Sequence, residues 1–75
     1  MQKLSIRLSS IEDVREFVNI VSKYESDVDL QSGRYVVDAK SIMGIFSLDL
    51  LSPIEMTIYS DDSGKLLEEV SKYKI

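Results

Sequence analysis

The apolar residues change their spacing along this chain, and each change marks a change of secondary structure. Leu4, Ile6 and Leu8 recur at every second position, with Lys3, Ser5 and Arg7 between them. A period of two sends alternate side chains to opposite faces and predicts a half-buried strand. From Ile11 the period lengthens. Ile11, Val14, Phe17, Val18, Val21 and Tyr24 recur at three- and four-residue spacings. They predict one apolar stripe on a helix of about four turns. Ahead of that stripe, Ser9-Ser10-Ile11-Glu12 fits a capping box, in which serine accepts an amide and Glu12 reaches back. Asp13 adds negative charge to the first turn, where the helix dipole favours it.

The remaining chain repeats the alternation of periods. Val28 and Leu30 alternate with Asp27, Asp29 and Gln31 and predict a second strand. Ser32-Gly33-Arg34 is a turn, because glycine supplies the positive φ that a tight hairpin needs. Tyr35 to Asp38 predicts the third strand. Lys40-Ser41 opens a short helix holding Ile42, Met43, Gly44, Ile45, Phe46 and Leu48. Leu51-Ser52-Pro53 is a loop, since proline cannot donate to a sheet ladder. Ile54, Met56 and Ile58 predict the fourth strand. Asp61-Asp62-Ser63-Gly64 is a turn and cap before a final helix carrying Leu66, Leu67, Val70 and Tyr73. The order is β-α-β-β-α-β-α. It predicts an α+β open-faced sandwich, a largely antiparallel four-stranded sheet covered on one face by three helices.

Seventy-five residues make a single domain, 1–75, and a chain this short buries only ~60% of its unfolded surface. The sequence contains no cysteine and no histidine. Disulfides, thiolate metal sites, histidine triads, zinc–histidine sites and phosphohistidine chemistry are therefore excluded. Nine basic against 13 acidic residues give a net charge of −4, which argues against nucleic acid as a partner. No apolar run approaches the ~20 residues of a membrane span, and the alternating N-terminus is unlike a signal peptide. A cytoplasmic protein without cofactor or metal is expected. Asp27, Asp29, Asp61 and Asp62 lack the spaced ligand loop of a cation site and read as acidic surface. Tyr24, Tyr35, Tyr59 and Tyr73 read as edge-of-core residues with hydroxyls in water.

The segments VSKYESDVDL (Val21 to Leu30), AKSIMGIFSL (Ala39 to Leu48) and IEMTIYS (Ile54 to Ser60) carry a resemblance. The chain resembles the HPr family, the small phosphocarriers of the bacterial sugar phosphotransferase system. The resemblance covers essentially the whole chain and implies the same open-faced sandwich. The family's active loop has the form G-I-H-A-R-P. Its histidine takes a phosphoryl group from phosphorylated Enzyme I. Here that stretch falls on Leu8 to Asp13, so Ser10 stands at the histidine position, Glu12 at the arginine position and Asp13 at the proline position. Arginine would pair with phosphate through a fork of donors, whereas Glu12 repels it. A serine ester is also far less reactive than an N–P bond, so the phosphohistidine role is not carried to Ser10.

The resemblance implies a different role for Ser41. It lies in K-S-I-M-G, the motif of the family's regulatory serine, which an ATP-dependent kinase/phosphorylase modifies. The phospho-form partners a transcriptional regulator. The resemblance further implies partner docking on Lys40, Ile42, Met43 and Phe46. Some relatives that lack the histidine and keep the serine act in carbon regulation. The expected function is thus a non-enzymatic regulatory or adaptor module that binds protein partners around a phosphorylatable Ser41. Two alternatives stand beside it. One is a divergent phosphocarrier still served by Enzyme I. The other is a small scaffold or homodimer whose resemblance records ancestry only, and whose first strand or helix could exchange between copies.

Overall fold

The computed structural model describes residues 1–61 and 63–75. Asp62, assigned above to the turn before the last helix, lies outside the described residues. The elements are β1 (Gln2–Ile6), α1 (Ile11–Ser22), β2 (Val28–Ser32), β3 (Tyr35–Asp38), α2 (Ile42–Phe46), β4 (Ile54–Ile58) and α3 (Gly64–Val70). A single 3-10 turn, Ser71–Tyr73, continues from α3. The sheet order is β1-β4-β2-β3, with every pairing antiparallel. This is the expected open-faced sandwich in the expected order.

Register follows from the alternation. Leu4 lies opposite Met56, Met56 opposite Leu30, and Leu30 opposite Val37, so one apolar row crosses the whole sheet beneath the helices. Ile6, Val28, Ile54 and Ile58 fill the rows on either side. Lys3, Glu55, Gln31 and Val36 occupy the opposite, open face. Phe17 of α1 is fully buried and meets Tyr73 edge to face, with ring centroids 5.9 Å apart at 75°. Such a contact adds to area burial because a ring edge is positive and a ring face negative. Gly33 has φ +61°, the first position of a two-residue turn between Ser32 and Tyr35.

Four expectations change. β1 stops at Ile6, because Arg7 donates its amide to the Tyr73 carbonyl at 2.8 Å and Ile6 bridges Lys74. Leu8 is still fully buried, but beyond the strand. The stripe of α1 is rotated from the expected one. Ile11 is 65% exposed, whereas Ile20 joins Val14, Phe17 and Val21 in the core. The cap is shifted by one residue: Ser10 is the N-cap, and Asp13 rather than Glu12 reaches back, accepting from the Ser9 amide at 3.0 Å. The tyrosine hydroxyls are not all in water: Tyr73 is buried and its hydroxyl has no partner among the described residues, and the Tyr24 and Tyr59 hydroxyls bond the carboxylates of Glu69 and Asp29.

Candidate functional site

Ser41 sits where β3 turns into α2. Asp38 makes the turn, its Oδ1 accepting the Lys40 amide at 2.8 Å and its carbonyl accepting the Ser41 amide at 3.0 Å. Ser41 itself stays extended (φ −99°, ψ 103°), as an N-cap residue must. Its Oγ accepts from the Gly44 amide at 3.1 Å, and its carbonyl accepts from Ile45 at 3.0 Å. Gly44 is required by closeness rather than by φ. A Cβ there would lie 3.1 Å from Ser41 Oγ and 3.2 Å from Val37 Cβ. The motif therefore encodes an approach of α2 to β3 that leaves the serine hydroxyl on the surface.

The other expected site residues surround Ser41 unevenly. Met43 is 77% exposed and Phe46 41%, while Ile42 is half-buried against the core and Ile45 is fully buried. One anchored face and one free apolar face thus belong to the same short helix. Lys40 is not free. Its Nζ donates to the Tyr24 carbonyl at 2.7 Å, tying the start of α2 to the end of α1. Tyr24 also bonds Glu69 of α3 through its hydroxyl, and Lys23 Nζ reaches the same carboxylate at 2.9 Å. The bond to Glu69 raises the Tyr24 pKa, with desolvation second. The same bond is the largest cause lowering that of Glu69, followed by the one from Lys23.

Ser10 lies apart, at the start of α1. It is exposed and extended (φ −147°, ψ 166°), and it accepts the Asp13 amide at 3.1 Å. Glu12 and Asp13 make this first turn acidic. The loop forms a shallow cavity of about 400 Å³ with Arg7, Ile11, Leu50 and Leu51. Leu51 is 91% exposed. Ile11 and Leu51 form an apolar surface that periodicity did not reveal. Ile11 had been assigned to the buried stripe, and Leu51 lies in a loop where no period operates.

Asp27, Asp29 and Asp38 line a groove with Tyr59 at the edge of the sheet. The Asp29 carboxylate beside the Tyr59 hydroxyl pushes that hydroxyl's pKa up, by hydrogen bonding first and desolvation second. Among the described residues no three carboxylates gather closely enough to hold a metal ion, and no helix is long and apolar enough to cross a membrane.

Comparison with known proteins adds to this geometry. Residues 13–73 match the family described as PTS HPr component phosphorylation site. The HPr-like protein Crh of Bacillus subtilis is 34% identical over 77 residues, which span 96% of this chain and 91% of Crh. The crystal structure of HPr-C-His from Thermoanaerobacter tengcongensis superposes with a TM-score of 0.80 at 25% identity, covering 96% of this chain and 89% of that one. HPr from Bacillus anthracis gives 0.75 at 25% identity, covering 99% and 96%. Crystalline Crh of Bacillus subtilis, a catabolite repression protein seen there as a domain-swapped dimer, gives 0.69 at 27% identity, covering 91% and 80%.

Proposed function

This chain belongs to the HPr family of phosphocarrier proteins, and we propose that within it the protein is a regulatory adaptor switched at Ser41. The observation that carries the reading is the pairing of an exposed serine N-cap with an exposed Met43 in a chain that contains no histidine. The phosphoryl route through an imidazole is absent from the sequence. The serine of K-S-I-M-G is solvent-facing, next to an apolar surface of Met43 and Phe46. Crh, the relative at 34% identity, is described as a catabolite repression protein, which supports a regulatory rather than a transport role.

In this reading an ATP-dependent serine kinase transfers the γ-phosphoryl group to Ser41 Oγ. A P–O bond to the serine forms, the bond to ADP breaks, and the hydroxyl proton leaves to a kinase base. The ester adds close to two negative charges beside Met43 and Phe46. The surface therefore changes from apolar to anionic at its rim, and a partner that reads that surface, the kinase/phosphorylase or a transcriptional regulator, is gained or lost. Ile42, anchored against the core, holds the patch in place. Lys40 holds the helix start through Tyr24. The protein works in the cytoplasm as a binding module, with no catalysis of its own.

Intact-mass measurement tests the reading. The protein and Ser41→Ala are each incubated with ATP and a family serine kinase, and separately with Enzyme I and phosphoenolpyruvate. One phosphate from the kinase on the native chain, none on Ser41→Ala and none from Enzyme I is the expected result. Phosphate from Enzyme I would overturn it and make the chain a carrier with a non-histidine acceptor.

A further inference from the structure

The two edges of the sheet are treated differently. At β1 the chain covers its own edge: Arg7 donates to Tyr73, and Ile75 donates to the Ser5 carbonyl at 3.1 Å. At β3 no strand or terminus among the described residues pairs with the outer edge. Ser32 and Tyr35 flank the two-residue turn and so exchange the closing hydrogen bonds. Alternation then directs Tyr35, Val37 and Ala39 toward β2, in agreement with the Ala39 amide bonding Val28 at 2.9 Å. That leaves the Arg34 carbonyl, both backbone groups of Val36 and the Asp38 amide facing outward, while the Asp38 carbonyl is taken by the Ser41 amide. Tyr35 and Val36 are 68% and 56% exposed, an apolar surface on a bare strand edge.

The charges on that edge are arranged as if for a second copy. Val36 and Asp38 share the open face, and Arg34, in the turn just before the strand, sets a cation at one end of the edge with the anion of Asp38 at the other. Among the described residues none forms an ion pair with Arg34 or Asp38. Asp38 also lies directly opposite Asp29, an unfavourable like-charge pair across the strands, with Asp27 nearby. We infer that β3 pairs antiparallel with β3 of a second copy about a two-fold axis at Val36, setting Arg34 of each copy against Asp38 of the other.

Only this register pairs outward-facing backbone groups and opposite charges together. Val36 meets its symmetry mate, and the Asp38 amide meets the Arg34 carbonyl twice. Shifting by two residues in either direction keeps the outward pairing but sets Val36 opposite a charge and leaves two like ends unmatched. The contact is isologous, so it closes at two copies. Each Arg34 also relieves the Asp29–Asp38 repulsion of its neighbour. Tyr35 of one copy lies beside Val37 of the other under the two α2 helices. A four-residue edge buries less than the ~1,000 Å² of a stable interface, so the association is weak and forms at high protein concentration.

Charge exchange tests it, read by amide chemical shifts across a concentration series up to the millimolar range. The expected result is concentration-dependent shifts confined to Arg34 to Asp38, with slower hydrogen exchange at the Val36 and Asp38 amides. Arg34→Asp alone and Asp38→Arg alone should each weaken self-association about tenfold or more. An equimolar mixture of the two variants should associate at least as tightly as the native chain, because every cross-strand contact is again opposite in sign. The native fold of each variant is checked by its own dispersed spectrum. Monomeric behaviour throughout, or shifts on Gln2–Ile6 instead, would overturn the inference. The second outcome would point to exchange of β1. A mixture that associates no better than either variant alone would overturn it as well.

Discussion

Two helix starts in this molecule use the same device in opposite surroundings. Ser10 and Ser41 are both extended N-cap residues, and each accepts the amide three residues on at 3.1 Å. The hydroxyl geometry is the same, so it cannot decide which serine is a site. Their surroundings differ. Ser10 opens a helix with Glu12 and Asp13 in its first turn, whereas Ser41 opens one with no acidic residue there. An incoming phosphoryl group is repelled at the first and meets an exposed methionine at the second. The loads on the helices differ too. α1 is twelve residues long with four core side chains, while α2 has five residues and only Ile45 fully in the core. One start belongs to the framework, and the other opens a short helix whose exposed face, Met43 and Phe46, can change at little cost to the fold.

The largest expected effect tests that division. Phe17→Ala should remove about 3–5 kcal/mol through lost burial and a cavity against Tyr73. A domain of this length has on the order of 4–11 kcal/mol in total, so a large share of its stability goes. Met43→Ala on α2 should stay within about 0.5 kcal/mol of native while weakening partner binding. Urea unfolding of both measures the contrast, and equal losses would erase it. Gly44→Ala comes next. Crowding against Val37 and Ser41 costs about 1–3 kcal/mol, and helix propensity returns about 1, for a net loss near 1 kcal/mol. A net gain in urea would show that α2 does not press on β3 through Gly44.

The caps themselves sharpen the comparison further. Ser10→Ala should lower global stability by about 1 kcal/mol, because the helix it caps carries the core. Ser41→Ala should lower it by about 0.5 kcal/mol or less, and its effect should appear as faster hydrogen exchange confined to Ile42–Phe46. Equal global losses would mean that α2 unfolds only with the whole domain.

Periodicity made the architecture legible because strands and helices differ in period, and the core obeys it: Leu4, Met56, Leu30 and Val37 form the row that alternation requires. It misplaced what lies at element ends. Ile11 satisfies the helical spacing but is the first residue of α1, beside Leu50 and Leu51 in the shallow cavity, and stays 65% exposed. Leu8 fits the strand's alternation but lies after the strand has been ended by pairing with Tyr73, a contact 66 residues away in sequence that no local pattern contains. The candidate site was legible where a local motif forms its geometry, as in the serine cap and close glycine of Lys40 to Gly44. The bond from Lys40 to Tyr24, and that from Tyr24 to Glu69, join three helices and had no sequence signal.

Those bonds connect the two regions, and their pH dependence is the finest test. The Tyr24 hydroxyl bonds Glu69, while the Tyr24 carbonyl holds Lys40 at the start of α2. Glu69 is held below the ordinary carboxylate value by Tyr24 first and by Lys23 second. A carboxyl lowered in the folded state stabilises above the unfolded value of about 4.3 and loses that contribution as pH falls through the lowered one. Tyr24 is raised, so its contribution is present below about 10 and is lost as pH rises through the raised value. In Tyr24→Phe the alkaline loss should shrink to what the raised Tyr59 and Tyr73 contribute, and the acid loss should move up toward the ordinary carboxylate range, since Glu69 keeps only Lys23 and the charge of Lys65. Both groups are only half-buried, so the displacement of the two limbs of a urea-midpoint curve is the readout, and an unmoved acid limb would refute the tie. The same variant separates ring from carbonyl. If hydrogen exchange at Ile42–Phe46 quickens in Tyr24→Phe, the end of α1 must be pinned by Glu69 for Lys40 to hold α2. If it does not, the backbone alone positions the carbonyl, and the surface around Ser41 is independent of α3.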